Sequence, residues 1–223
     1  MMPSVAPSTF AGTANVIAVI VLLTEFAMLR APLLRSQVRL YAFQSLVVTA
    51  LAVFVAATRH IDSLYVLAAL SFTLKVIIVP RVVTRLLSRA NVSLAGNSSL
   101  GVATMTLIAI AISVFGFFSV GALNLRSPVL PEAALAVSVG VILVAFVLII
   151  LRSDVVSQAV GFFSLENGVS MASLVVASGL PLIIDVAFLF DLMVAVVVFG
   201  VLMRIHHARN RTLSTEPLDQ LRG

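Results

Sequence analysis

The chain has 223 residues, 61% of them apolar and 10% charged, with mean hydropathy +1.19. Soluble domains carry about 45–50% apolar and about 25% charged residues, so this is an integral membrane protein and not a free-standing soluble enzyme. With no cysteine, disulfide scaffolds, thiolate zinc sites, iron–sulfur clusters and cysteine nucleophiles are excluded within the chain.

A spanning helix needs roughly 20 apolar residues. The apolar runs predict an all-α, polytopic bundle of seven, over residues 10–29, 38–57, 62–82, 100–122, 132–151, 156–178 and 183–203. The first run reads as a span and not as a cleaved signal, because no basic residue precedes it. A polar stretch over residues 205–223, containing Pro217, follows the last helix as a tail. His60, His206 and His207 fall at predicted helix ends, which argues against a haem or metal held by histidines in the bilayer.

The net charge of +5 does not point to nucleic acid, because the arginines are spread over the breaks between apolar runs. With seven spans, one side collects Arg30, Arg35, Arg39, Arg81, Arg85, Arg89, Arg152, Arg204, Arg209, Arg211 and Arg222. The other side holds only Arg59 and Arg126. Basic loops stay cytoplasmic, so the N-terminus is expected outside and the C-terminus inside a cell membrane.

Lys75, the single lysine, interrupts the apolar run Ser71 to Pro80. A charge at helix centre costs roughly 2.5–3.5 kcal/mol on insertion scales, so it is expected to face the bundle interior and a partner. Lysine, unlike arginine, gives up its proton readily when desolvated. Pro80 donates nothing to the carbonyl of Val76, which predicts a local kink beside Lys75. Glu166 lies near the middle of the sixth helix with no basic neighbour along it. A lone carboxyl there suits proton carriage, since low-dielectric surroundings disfavour its charged form. Ser164 and Asn167 supply hydrogen bonds beside it, and Gly161 and Gly168 admit a close neighbouring helix. Asp191 sits at depth in the seventh helix; Asp185, at that helix's start, is explained by the helix dipole. Gln44 reads as a supporting polar residue, and Glu25, five residues before Arg30, as a side chain snorkelling to the surface. Lys75, Glu166 and Asp191 fall at similar depth and form a candidate proton path.

At these residues the chain resembles a known family. Tyr41-Ala42-Phe43-Gln44-Ser45-Leu46, the run Phe72 to Pro80, Gly161 to Gly168, and Asp191 with Arg204 thirteen residues later together resemble the component E family of hydrogenase-4-type complexes. The resemblance covers nearly the whole chain. Through Leu165-Glu166-Asn167 and the acidic helix after it, the last three helices are also similar to the K subunit of respiratory complex I and the C subunit of multisubunit sodium/proton antiporters. The resemblance implies a non-catalytic membrane subunit of a group 4 nickel–iron hydrogenase or formate hydrogenlyase-like assembly. Its partners would be antiporter-like membrane subunits and hydrogenase subunits, with the nickel–iron centre and iron–sulfur clusters on those partners and no cofactor in this chain. Glu166 would match the first key carboxylate of the K-type subunit and Asp191 the second, where complex I usually has the longer Glu. Lys75 lies outside the K-like part.

Two other classes compete: a subunit of a cation/proton antiporter without redox chemistry, and a structural scaffold whose buried charges only fix helix packing. A retinal protein is disfavoured by the absence of tryptophan, by only 7% aromatic residues, and by the lysine's place on the third helix.

Overall fold

Pro32, His60 and the polar residues around Arg152 break long apolar runs, and between such breaks the chain satisfies its backbone hydrogen bonds internally, as a bilayer demands. A computed structural model describes residues 9–90, 98, 100–122, 132–176, 193 and 195–201. The order is α1 (Thr9–Arg30), α2 (Leu34–Arg59), α3 (Asp62–Ser71), a π-helical segment (Phe72–Ile78), α4 (Val79–Ala90), α5 (Val102–Gly121), α6 (Glu132–Leu151) and α7 (Val155–Val176). Residues 193 and 195–201 are helical apart from these. Asp185, Asp191 and the expected tail over residues 205–223 lie outside the described residues.

Five stretches are long and apolar enough to cross a membrane: Phe10–Arg30, Leu34–Arg59, Asp62–Ser88, Val102–Gly121 and Ala133–Leu151. Helix α7, with 22 residues, is about 33 Å long but more polar. The lipid-facing surface is apolar: Leu107, Phe115, Phe118 and Ile150 are all more than two-thirds exposed. This is an all-α polytopic membrane protein.

The third run departs from expectation at its basic end. Residues 83–90, expected as part of a loop, continue the helix to Ala90. Val79, Val83 and Leu87 repeat every four residues and are buried, while Arg81 and Arg85 point outward, so one apolar stripe carries the helix past the apolar run. The kink expected at Pro80 takes the form of the π segment. Val79 N–H bonds the carbonyl of Leu74, five residues back. The missing N–H of Pro80 falls at the end of this wider register, a feature that often marks functional sites.

Helix pairs α6–α7, α5–α6, α1–α2, α1–α6 and α2–α7 pack closely. Residues following the first, third and fifth spans, Ala31, Ser98 and Arg152, meet at one end of the bundle. Arg152, between α6 and α7, donates from Nη2 to the carbonyls of Leu29 (2.8 Å) and Ala31 (3.3 Å) and pairs with Ser98 through the backbone. Partial burial lowers the Arg152 pKa from its ordinary value, and neighbouring Asp154 opposes the shift. At the opposite end Arg59 stacks over Phe10 with its guanidinium carbon 4.7 Å from the ring centroid. Asp154 caps α7: its Oδ1 accepts from Ser157 N–H at 2.7 Å, three residues on, at the positive end of the helix. Asp154→Ala is expected to destabilise the protein by about 1 kcal/mol, read as a lowered thermal transition in detergent.

Two apolar clusters fill the interior. Toward the Arg59 end lie Ala14, Ala18, Val21, Val48, Leu51, Leu64, Leu67, Met171 and Leu174. Toward the Arg152 end lie Met28, Leu34, Tyr41, Val79, Val83, Leu148 and Phe163. Along α1, α2, the third span and α7, the residues between the two clusters include Glu25, Gln44 with Ser45, Lys75, and Ser164 through Ser170. A polar layer thus divides the core at mid-depth.

Candidate functional site

Helix α7 supplies the centre of this layer. Residues 163, 166 and 170 form one ridge and 164, 167 and 171 the next, as helical spacing of three and four requires. The first ridge meets the π segment. Lys75 Nζ lies 2.8 Å from Glu166 Oε1 and 3.0 Å from Ser170 Oγ, and the lysine side chain is 1% exposed. Burial of both ions is tolerated because each neutralises the other, and the extra hydroxyl takes a second lysine hydrogen.

The second ridge meets α1 and α2. Gln44 Nε2 donates to Glu25 Oε2 (2.7 Å) and to the carbonyl of Val21 (3.3 Å). Its Oε1 accepts from Asn167 Nδ2 at 3.0 Å and lies 2.8 Å from Ser164 Oγ. Asn167 Nδ2 also donates to Ser45 Oγ at 2.9 Å, and Ser164 Oγ bonds Glu25 Oε2. Nearer the Arg152 end, Ser157 Oγ donates to Gln37 Oε1 (2.7 Å) and Gln37 Nε2 to the carbonyl of Ala31 (3.0 Å). Polar contacts therefore run along the α2–α7 seam for several turns. On the other side of Lys75 a cavity of about 20 Å³ is lined by Thr49, Ser71 and Ser170 among apolar side chains, enough for one water molecule.

Of the sequence-predicted residues, the structure pairs Lys75 with Glu166 and joins Gln44, Ser164 and Asn167 in the adjoining network. Asp191 lies outside the described residues. Glu25 corrects expectation: it does not snorkel but is fully buried between Gln44 and Ser164. Proximity to Arg30 suggested surface access, yet five residues of rise is about 8 Å, and α2 and α7 close over that depth. Among the described residues no three His, Asp or Glu side chains converge to hold a metal ion.

Comparison with known proteins bears on what this layer serves. The chain is 25% identical to the hydrogenase-4 component E of Escherichia coli K12 over 209 residues, covering 94% of this chain and 97% of that one. Over nearly its whole length the chain is similar to hydrogenase-4 component E. The Shigella flexneri component E matches to the same extent, so the resemblance read from the sequence holds over nearly the whole length. The chain is likewise 25% identical to the uncharacterized protein Rv0085 of Mycobacterium tuberculosis, over 76% of this chain and 77% of that protein. No family model and no solved structure matches the chain.

Proposed function

We propose that this chain is a non-catalytic, multi-pass subunit in the cell membrane, part of a hydrogenase-like, complex I-related complex, and that its polar layer passes protons. The observation that carries the reading is the Lys75–Glu166 pair, closed at 2.8 Å within a buried polar layer that lies between two apolar clusters. An intramembrane ion pair is costly and marks ion or proton pathways by default. The hydroxyls of Ser170, Thr49 and Ser71 beside the pair, with the one-water cavity, suit short proton transfers. Glu166 is the exchanging carboxyl and Lys75 the charge that sets when it exchanges; Asp191 is proposed as the next carboxyl along. In this reading the nickel–iron centre and iron–sulfur clusters belong to partner subunits, and antiporter-like subunits adjoin this one.

Purification through a C-terminal tag in mild detergent, with mass spectrometry of co-purifying chains, tests the assembly. Nickel–iron and iron–sulfur subunits together with antiporter-like subunits are expected; antiporter subunits alone would move the chain to a cation/proton antiporter. In the assembled complex, Glu166→Gln is expected to lower redox-coupled proton translocation by about a hundredfold or more, the range for loss of a positioned proton carrier. Translocation at the wild-type rate would leave only the structural scaffold.

A further inference from the structure

The neighbouring network poses a problem of hydrogen counting. Ser164 Oγ lies against two acceptors, Glu25 Oε2 and Gln44 Oε1, but a hydroxyl carries one hydrogen. Gln44 supplies none to Ser164, because its amide orientation is fixed on both sides. Its Nε2 faces the acceptors Glu25 Oε2 and the Val21 carbonyl, and its Oε1 accepts from Asn167 Nδ2. If Glu25 were ionised, one of the two close oxygen–oxygen contacts of Ser164 would contain no hydrogen. Among the described residues Glu25 has no ion-pair partner; Lys75 is engaged with Glu166. A fully buried carboxylate without a counter-ion is among the most costly groups a core can hold.

One additional hydrogen resolves both difficulties. We infer that Glu25 is a second proton-binding site of this subunit, held as the neutral acid in a closed ring with Ser164 and Gln44. Glu25 Oε2–H donates to Ser164 Oγ, Ser164 O–H donates to Gln44 Oε1, and Gln44 N–H donates back to Glu25 Oε2. Ser164 and Asn167 flank Glu166 on α7, so the ring lies beside the Lys75–Glu166 pair. On release, Ser164 turns its hydrogen from Gln44 to the new Glu25 carboxylate. The proton passes to the Glu166 carboxylate, which becomes the neutral acid, and charge is conserved. Delivery to Glu166 rests on the proton-transfer reading above; the presence of the proton on Glu25 does not.

Infrared spectroscopy of the purified complex reads the protonated carboxyl directly. Glu25→Gln keeps the size of the side chain, and its amide oxygen at the Oε2 position still accepts from Gln44 Nε2 while the donation to Ser164 is lost; it is expected to assemble while losing one protonated-carboxyl band. Glu166→Gln retains that band, and Ser164→Ala shifts it by removing its acceptor. A Glu25→Gln spectrum with every wild-type carboxyl band, or a band unmoved by Ser164→Ala, overturns the inference. For delivery, Glu25→Gln is expected to lower proton translocation about a hundredfold. Wild-type translocation in Glu25→Gln alongside a dead Glu166→Gln overturns delivery alone, whereas wild-type translocation in Glu166→Gln removes the proposed function and leaves the Glu25 proton standing.

Discussion

Replacing Glu166 with Leu alone, or Lys75 with Met alone, is expected to cost about 3–5 kcal/mol, and replacing both together close to nothing. Each single change leaves one member of a buried 2.8 Å pair without its counter-charge. The orphan then stays charged at high cost or is forced into its neutral form. Lys75 would keep Ser170 Oγ at 3.0 Å, which satisfies one hydrogen but not the charge. The double replacement restores an apolar interior of similar volume, and such swaps are often neutral or stabilising. Thermal unfolding of the purified subunit in detergent should therefore show two low transitions, and a third near wild type, giving a coupling energy of several kcal/mol. Proton translocation should be lost in all three variants, the stable double replacement included. Recovery of stability together with translocation would mean that the pair serves packing only. Additive losses in the double replacement would mean that the two side chains do not interact as the 2.8 Å contact requires.

How far the sequence revealed this arrangement follows from the kind of signal each residue gives. Lys75 and Glu166 are legible because a charge inside a long apolar run stands out wherever it points. That they meet depends on the rotation of the third span against α7, which periodicity within either helix does not encode. The π segment shares this limit: the missing N–H of Pro80 is visible in the sequence, but the register change before it depends on packing against α2. Glu25 was misjudged because distance along the chain to Arg30 stood in for distance to water. The bundle around it, closed by Gln44 and Ser164, comes from residues 19 and 139 positions away. Among the described residues, the helix ends expected from the sequence fall within a few residues of those observed, except where Val79, Val83 and Leu87 extend a stripe through the arginines of α4. The mid-depth layer was hidden for a related reason. Each of four helices carries one or more polar interruptions, and only their coincidence at one depth divides the core in two.

The alignment of this layer depends on how closely α7 approaches α6, and bulk at Gly161 or Gly168 is expected to break it. A Cβ placed on Gly168 would lie 2.8 Å from Ile142 Cγ1 and 3.1 Å from the Ile142 backbone nitrogen; one on Gly161 would lie 2.8 Å from Ile149 Cγ1 and 3.2 Å from the Ala145 carbonyl oxygen. A side-chain methyl can rotate away, but the backbone contacts relax only if the helices separate. Small residues at such crossings let backbones approach within a membrane, where no difference in hydrophobicity holds helices together. The two glycines are seven residues apart and so stand on one face of α7, on either side of Glu166. Gly168→Val should cost about 1–3 kcal/mol through overpacking. Pushing α7 off α6 also shifts Glu166 relative to Lys75, and a misplacement of about 1 Å is enough to cost a hundredfold in transfer rate. Gly140→Ala provides the control. Its added Cβ would meet nothing nearer than 3.7 Å, so stability and translocation should stay near wild type. Equal damage from Gly140→Ala and Gly168→Val would show that general loss of fold, and not the α6–α7 approach, governs the polar layer.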